Sequence, residues 1–375
     1  MKRKNVVIVG SGFAGSFAAY LLSKNFDVLI IDKNPKSVER KCLRLLTSSF
    51  FSINPIFRTE SFNRKVIVNK IPKALIVSKH NNVQLNLESP EIVINPKKLR
   101  HILLSKAMKN GAKFLKANFS NFSYKNKRLI IALNGKKTLS ADFLIDASGA
   151  ESIISRKLGN KIEVKNAIQA EIMTDKKMQK SLWTAYIDIS SKDLVWLFPY
   201  KNHLTVSYTS TIPKSKELLS QKFKMILKML GTKKIFKIEQ EKIPIWNKSI
   251  IYGQNNVFLL GDSAAQVKAT TYGGIVPLFR AAKILESVIS KNKNAEEYAK
   301  RLSGLSNELK MHALISRALS KISDDDVDFL LELIKKNKKL IGARDELSKN
   351  INFFWLLPNL LNLRFLSLLF KAIRA

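Results

Sequence analysis

The stretch Val6-Val-Ile-Val9-Gly10-Ser-Gly12-Phe-Ala-Gly15 decides the fold. Four consecutive β-branched residues predict a strand buried on both faces, the kind found in parallel sheets. The glycines spell G-x-G-x-x-G. Gly10 permits a tight turn, Gly12 lets the backbone approach a pyrophosphate, and Gly15 lets the next helix pack close to the strand. Phe13 and Ala14 open that helix, whose N-terminal amides suit phosphate. Residues 17–22 have helical spacing, and Val28-Leu-Ile-Ile31 is a second buried strand ending at Asp32, with Lys33 next. Asp32 falls 22 residues after Gly10, where a carboxylate can accept hydrogen bonds from ribose hydroxyls. The pattern predicts a βαβ dinucleotide-binding unit, without separating flavin from nicotinamide dinucleotides.

Two later stretches repeat the combination of buried strand and small-residue turn. Phe143-Leu-Ile145 runs into Asp146-Ala-Ser-Gly149-Ala-Glu-Ser152, and Val257-Phe-Leu-Leu260 runs into Gly261-Asp262, followed by Gly273-Gly274-Ile275 at a helix start. These three pieces in this order resemble the FAD-binding signatures of the flavoprotein family that includes aromatic hydroxylases and geranylgeranyl reductases. The resemblance implies that Asp262 contacts the ribitol. It also implies that the helix after Gly274 points its N-terminus at the flavin pyrimidine, where it would stabilise negative charge on reduced flavin.

Within that family the archaeal geranylgeranyl reductase branch fits best. Gly261-Asp-Ser-Ala-Ala-Gln-Val-Lys-Ala-Thr-Thr-Tyr-Gly-Gly-Ile275 resembles its Gly-Asp-Ala-Ala block leading into a glycine triplet, and Trp196-Leu-Phe198-Pro199 resembles its W-x-F-P substrate motif. Cys42, the single cysteine, stands where family members carry a cysteine near the flavin, and the resemblance makes it the candidate catalytic residue. Trp196 and Phe198 share one strand face by period-two alternation; they are candidate walls of a lipid tunnel, with Pro199 beside them, or simply fill a core. The resemblance covers roughly residues 5–290. It departs at Ser191 and Leu194, where the family has Pro and Tyr. Leu43-Arg-Leu-Leu-Thr47 replaces a glycine-containing segment. Pro96 takes the place of a basic residue near the phosphates, and Tyr272 the place of the first triplet glycine.

The fold expected is α/β: a Rossmann-type FAD-binding domain, an antiparallel-sheet substrate domain and a helical C-terminal region, in the aromatic hydroxylase-like arrangement. The domain reading is 1–165 for the first part of the FAD domain, with an insertion near 43–95. Short aromatic and β-branched runs assign 166–250 to the sheet. The FAD domain resumes over 251–293, and 294–375 is helical with an apolar tail. A helix is predicted over 97–109, stopped by Asn110-Gly111, and a hairpin at Asn134-Gly135.

The chain has 375 residues and a net charge of +36, from 65 Lys and Arg against 29 Asp and Glu. This favours anionic partners. The lysines are dispersed and no nucleic-acid motif is present, so nucleic acid is set aside and an anionic membrane surface preferred. The start is too short an apolar run for a signal peptide, and one cysteine fits a reducing cytosol. The tail from Asn352 is strongly apolar but broken by Pro358. It reads as an interfacial helix with Arg364, Lys371 and Arg374 near head groups, or as a packed helix. The protein is therefore placed in the cytoplasm, peripheral on the inner face of the membrane. His80, His101, His203 and His312 show no metal-ligand spacing, so no metal is assigned.

The function expected from the resemblance is FAD-dependent reduction of C=C bonds in geranylgeranyl chains of archaeal-type ether lipids or a related polyprenyl compound. No second G-x-G-x-x-G unit exists for a nicotinamide, which leaves NAD(P)H, ferredoxin or another carrier as electron donor. The alternatives are a flavin monooxygenase on an apolar substrate and a non-catalytic membrane-associated flavin-binding protein. A halogenase is disfavoured, since no Trp-x-Trp-x-Ile motif is found.

Overall fold

The computed structural model describes residues 3–33, 44–126, 128–134, 137–175, 179–188, 193–210 and 215–336. Cys42, Leu43, Ser191 and the apolar tail lie outside the described residues. The chain divides into two compact units, each assembled from separated segments. The first comprises Met1–Arg40, Pro96–Val164 and Pro244–Leu309; the second comprises Lys41–Asn95, Lys165–Ile243 and Lys310–Ala375. The expected 43–95 insertion thus belongs with the second unit. A boundary between the units falls at 309/310, inside the helical region expected over 294–375.

The first unit is built on a six-stranded sheet. Its order runs Gly253–Gln254, Val257–Leu259, Phe143–Asp146, Asn5–Val9, Asp27–Asp32 and Lys113–Lys116. All pairings are parallel except that of the short edge strand Gly253–Gln254. The continuous apolar runs are explained by burial on both faces. On one face Val7, Val9, Ile31, Leu144 and Leu259 pack with the three-stranded antiparallel sheet formed by Phe119–Lys125, Arg128–Leu133 and Thr138–Ala141. On the helical side, Phe17 of helix Phe13–Leu22 meets Phe279 of helix Ile275–Ser290, ring centroids 4.4 Å apart.

The second unit is an eight-stranded sheet: Thr232–Pro244, Val164–Thr174, His203–Ser210, Asp193–Tyr200, Leu182–Asp188, Ile67–Val77, Asn82–Ile94 and Leu45–Leu46. Its antiparallel character was legible over 166–250. The long hairpin Ile67–Val77 and Asn82–Ile94 was not, and it joins the sheet through a parallel pairing of Ile67–Val77 with Leu182–Asp188. Alternation sorts the side chains. Trp183, Phe198 and Tyr200 form one core with Val327 and Leu331 of helix Asp324–Lys336. Ile168, Leu197, Val206 and Tyr208 form another with Leu219, Phe223 and Leu227 of helix Lys216–Met229. Each such buried aromatic or leucine side chain stabilises the unit by about 1.5–3 kcal/mol.

Candidate functional site: three turns at adjacent strand ends

In open parallel sheets, ligands bind beyond the carboxyl ends of the strands. Here Asn5–Val9, Phe143–Asp146 and Val257–Leu259 are sheet neighbours, so their three turns meet although more than 100 residues separate successive motifs in sequence. The Ala147 amide donates to the Val9 carbonyl at 2.8 Å, the Leu260 amide to the Asp146 carbonyl at 2.9 Å, and Ser263 Oγ to the same carbonyl at 2.8 Å.

The spacing tolerates no side chain at Gly10 or Gly15. A Cβ on Gly10, which has φ +98°, would lie 2.4 Å from the Ala147 carbonyl oxygen, and one on Gly15 would lie 1.9 Å from the Gly10 carbonyl oxygen. A Cβ on Gly261 would touch Ala14 Cβ at 3.0 Å. Ala14 and Gly15 are buried in this contact, whereas Gly12 and Phe13 remain half-exposed at the helix start. Gly149, at φ +98°, turns the middle loop. Asp146 itself is fully buried: it accepts from Ser148 N at 3.0 Å and Ser148 Oγ at 2.6 Å, and from Ser152 Oγ. Burial pushes its carboxyl above the usual carboxylate range, partly countered by those donors.

Asp32 is held by Ser11. Its Oδ2 accepts from Ser11 N at 2.7 Å and Ser11 Oγ at 2.6 Å. Behind Ser11 stands the buried Arg100, whose Nη2 donates to Ser11 Oγ at 2.8 Å and whose Nε donates to the Ser11 carbonyl. Sequence reading missed both residues. The signal available was the arginine one turn into helix Pro96–Lys109, after the expected basic position had become Pro96. Lys33 is exposed beside Asp32.

The third turn is latched by a further residue the sequence did not flag. Gln266, fully buried, accepts from Gly261 N through Oε1 at 2.7 Å, and its Nε2 donates to Tyr298 OH at 3.3 Å. Tyr272 keeps the left-handed backbone that a glycine would supply, φ +56°, with its ring buried. Gly273 and Gly274 then lead into helix Ile275–Ser290. That helix has Gly274 as N-cap, no side-chain cap and no acid in its first turn. Asp262 Oδ1 approaches within 3.7 Å of a Cβ built on Gly274. An uncapped helix end carries unpaired amides and partial positive charge.

In the second unit, Trp196 and Phe198 do share a face. Phe198 is 1% exposed in the core, with Pro199 also buried, and Trp196 is half-buried at the edge, its ring 5.4 Å from Trp183. The Trp196 Nε1 is enclosed without a hydrogen-bond partner among the described residues. His80, Asp325 and Asp328 bring ligand atoms within 4.8 Å of one another, but His80 and Asp325 are exposed and Asp328 already accepts from Ser78. No described helix is long and apolar enough to cross a membrane.

Glycine turns that a Cβ would fill, a carboxylate at the end of the second strand, and two helix starts without side-chain caps fit an extended dinucleotide. They define a Rossmann-type dinucleotide-binding protein. The FAD binding domain family model matches residues 3–275. A digeranylgeranylglycerophospholipid reductase of Methanosphaera stadtmanae is 27% identical over 365 residues, covering 88% of this chain and 90% of the relative. A geranylgeranyl bacteriochlorophyll reductase-like protein from Thermoplasma acidophilum superposes with a TM-score of 0.81 at 18% identity, covering 98% of both chains. A mutant of the halogenase PltM, in complex with FAD, superposes with a TM-score of 0.71 at 15% identity, covering 89% of this chain and 79% of that one.

The chain belongs to the FAD-binding domain family, and its cofactor is FAD. It is an FAD-dependent oxidoreductase similar to geranylgeranyl reductases.

Proposed function

We propose that the protein saturates C=C bonds of geranylgeranyl chains, in archaeal-type membrane ether lipids or a related polyprenyl compound. The carrying observation is the junction of the three turns, where Gly261 packs against Ala14 at the start of one uncapped helix and Leu278 in the first turn of the other. The relatives named as digeranylgeranylglycerophospholipid reductases support the substrate class.

Residues 10–15 would hold the pyrophosphate, Gly10 and Gly15 by close packing and Gly12, Phe13 and Ala14 at the helix start. Asp32, kept in place by Ser11, would accept from the ribose, with Lys33 at the rim. Gly149 would shape the middle turn, Gly261 and Asp262 would meet the ribitol, and Gly273, Gly274 and Ile275 would present amides to the pyrimidine. When bound, reduced FAD supplies the hydride that an isolated alkene accepts poorly without alignment and a dry site. Trp196 would contribute an apolar wall with a spare N–H, while Phe198 and Pro199 would hold that strand rigid from the core. Cys42 would furnish the proton to the second alkene carbon. The electrons would come from NAD(P)H, ferredoxin or another carrier, and the enzyme would work at the cytoplasmic surface of the membrane.

Photoreduced protein, mixed anaerobically with a geranylgeranyl lipid, should yield products heavier by about two mass units per bond. When oxygen is admitted in a parallel reaction, a gain of about sixteen in place of two would instead mark oxygen insertion and the monooxygenase reading. A flavin that reduces readily yet transforms no prenyl lipid would leave a binding protein. Trp196→Ala should lower turnover far more than FAD content, since misplacing a reacting group by about 1 Å can cost roughly a hundredfold. Cys42→Ser should keep FAD and react slowly; unchanged turnover would remove that residue from the reaction.

A further inference from the structure

Six of the twelve large apolar side chains exposed among the described residues fall between positions 218 and 238: Leu218, Met225, Met229, Ile235, Phe236 and Ile238. They occupy helix Lys216–Met229 and the strand Thr232–Pro244 that follows it, which is the edge of the eight-stranded sheet. Thr232 Oγ1 donates to the Leu227 carbonyl at 2.7 Å, and Gln240 Nε2 to Ser220 Oγ at 3.0 Å, so strand and helix are tied at both ends. The inner face of the helix is accounted for by Leu219, Phe223 and Leu227 in the core. The outer face is not: Met225 is 64% and Met229 75% exposed. Residues 233–236 are exposed without alternation, so both faces of the strand are open there.

We propose that this helix and edge strand form a docking surface for an anionic lipid bilayer. Charge selects the partner. Residues 216–244 carry eight lysines against three glutamates. Lys224, Lys228, Lys233 and Lys234 are exposed among the apolar groups, and the Lys234 ammonium lies 5.3 Å from the Phe236 ring centre. Of the acids, Glu239 is paired with Lys237 at 2.6 Å and the neighbouring Asp175 with Lys233 at 3.1 Å. Lysine stems can lie along apolar surface with their heads among lipid phosphates. Methionines adapt to an irregular surface such as a headgroup layer. A second copy is the poorer occupant, because lysines on an edge strand oppose strand pairing, whereas insertion into a headgroup layer needs no backbone partner. The proposal deepens the lipid-substrate reading and rests on it for biological purpose, but its test does not require turnover.

The test is flotation of the purified FAD-loaded protein with vesicles of phosphatidylcholine alone or with added phosphatidylglycerol. The protein should partition to the anionic vesicles and release at high salt. Two double variants, Met225→Asp with Met229→Asp, and Lys224→Glu with Lys228→Glu, should each weaken partition at least about tenfold. Both should keep circular dichroism, FAD content and turnover of detergent-dispersed prenyl lipid. Parent-like flotation of both folded variants overturns the proposal. So does a parent dimer that the variants convert to monomer without loss of flotation, which would assign the surface to a second copy. Patch-dependent flotation in a protein that reduces no prenyl lipid would uphold the surface and reject the substrate.

Discussion

Arg100 Nη2 donates to Ser11 Oγ at 2.8 Å, and that hydroxyl donates onward to Asp32 Oδ2 at 2.6 Å. A cation on one helix thereby fixes a hydroxyl that fixes the carboxylate at the end of the second strand. Pro96 opens the helix Pro96–Lys109, a position where proline costs nothing because its missing N–H would be unpaired anyway. The buried arginine enters one turn later.

Arg100→Met should therefore weaken FAD binding about tenfold, roughly 1.4 kcal/mol, by freeing Ser11 and letting Asp32 turn. Titration of apoprotein by flavin fluorescence would measure it, and Arg100→Lys should recover part of the loss. Unchanged affinity in Arg100→Met would show that Asp32 is oriented without its neighbour.

The glycines of the first turn should fail in different ways. Gly15→Ala places a Cβ 1.9 Å from the Gly10 carbonyl oxygen, so helix and turn must part, at about 1–3 kcal/mol. Gly12→Val, at a half-exposed position, should leave the fold largely intact and yield colourless protein. Urea denaturation beside the flavin absorbance separates the two outcomes. A Gly12→Val protein with full FAD would rule out pyrophosphate approach at that turn.

At Tyr272, backbone and side chain pull in opposite directions. Tyr272→Ala keeps the strain of φ +56° and loses the buried ring. Tyr272→Gly loses the ring but relieves a strain of about 1–2 kcal/mol. The glycine variant should be more stable than the alanine variant by about 1 kcal/mol, the reverse of their order inside a helix. Equal stabilities would mean the strain is relaxed elsewhere.

Asp146 gives a pH signature. Its carboxyl is raised by burial from 3.8, so between those values the native state holds more protons than the unfolded chain. Its contribution is fully present below the unfolded pKa and is lost as pH rises through the folded one. Asp146→Asn cannot titrate. Its stability relative to the parent should rise with pH above 3.8 and then level off. A difference that stays flat would show that its pKa is the same folded and unfolded.

Much of the cofactor site was legible because its chemistry is local. G-x-G-x-x-G, the acid at 32 and the strand-then-turn motifs at 146 and 261 each declare themselves within a few residues. Arg100 and Gln266 were hidden because their partners, Ser11 and Gly261, are fixed only once the sheet and its turns form. The hairpin spanning 67–94 escaped because Lys and Asn punctuate its strands, and its partner strand Leu182–Asp188 lies about 110 positions away. Trp196 and Phe198 were placed correctly on one face, but alternation could not show that Phe198 would be sealed into a core while Trp196 stayed at the edge.

The interleaving of the two units carries a consequence for synthesis on the ribosome. The strand Asp27–Asp32 emerges early, but the sheet it joins also needs Phe143–Asp146 and Val257–Leu259. At about ten residues per second, roughly twenty seconds pass between the first βαβ unit and the last parallel strand. Val6–Val9 and Val28–Ile31 can pair with each other at once, but their outer edges stay open until Phe143–Asp146 and Lys113–Lys116 emerge, about eleven and eight seconds later, and such edges are the kind of surface that chaperones shield. The growing chain therefore cannot finish one unit before starting the other, and neither should be obtainable by simple truncation at a single point.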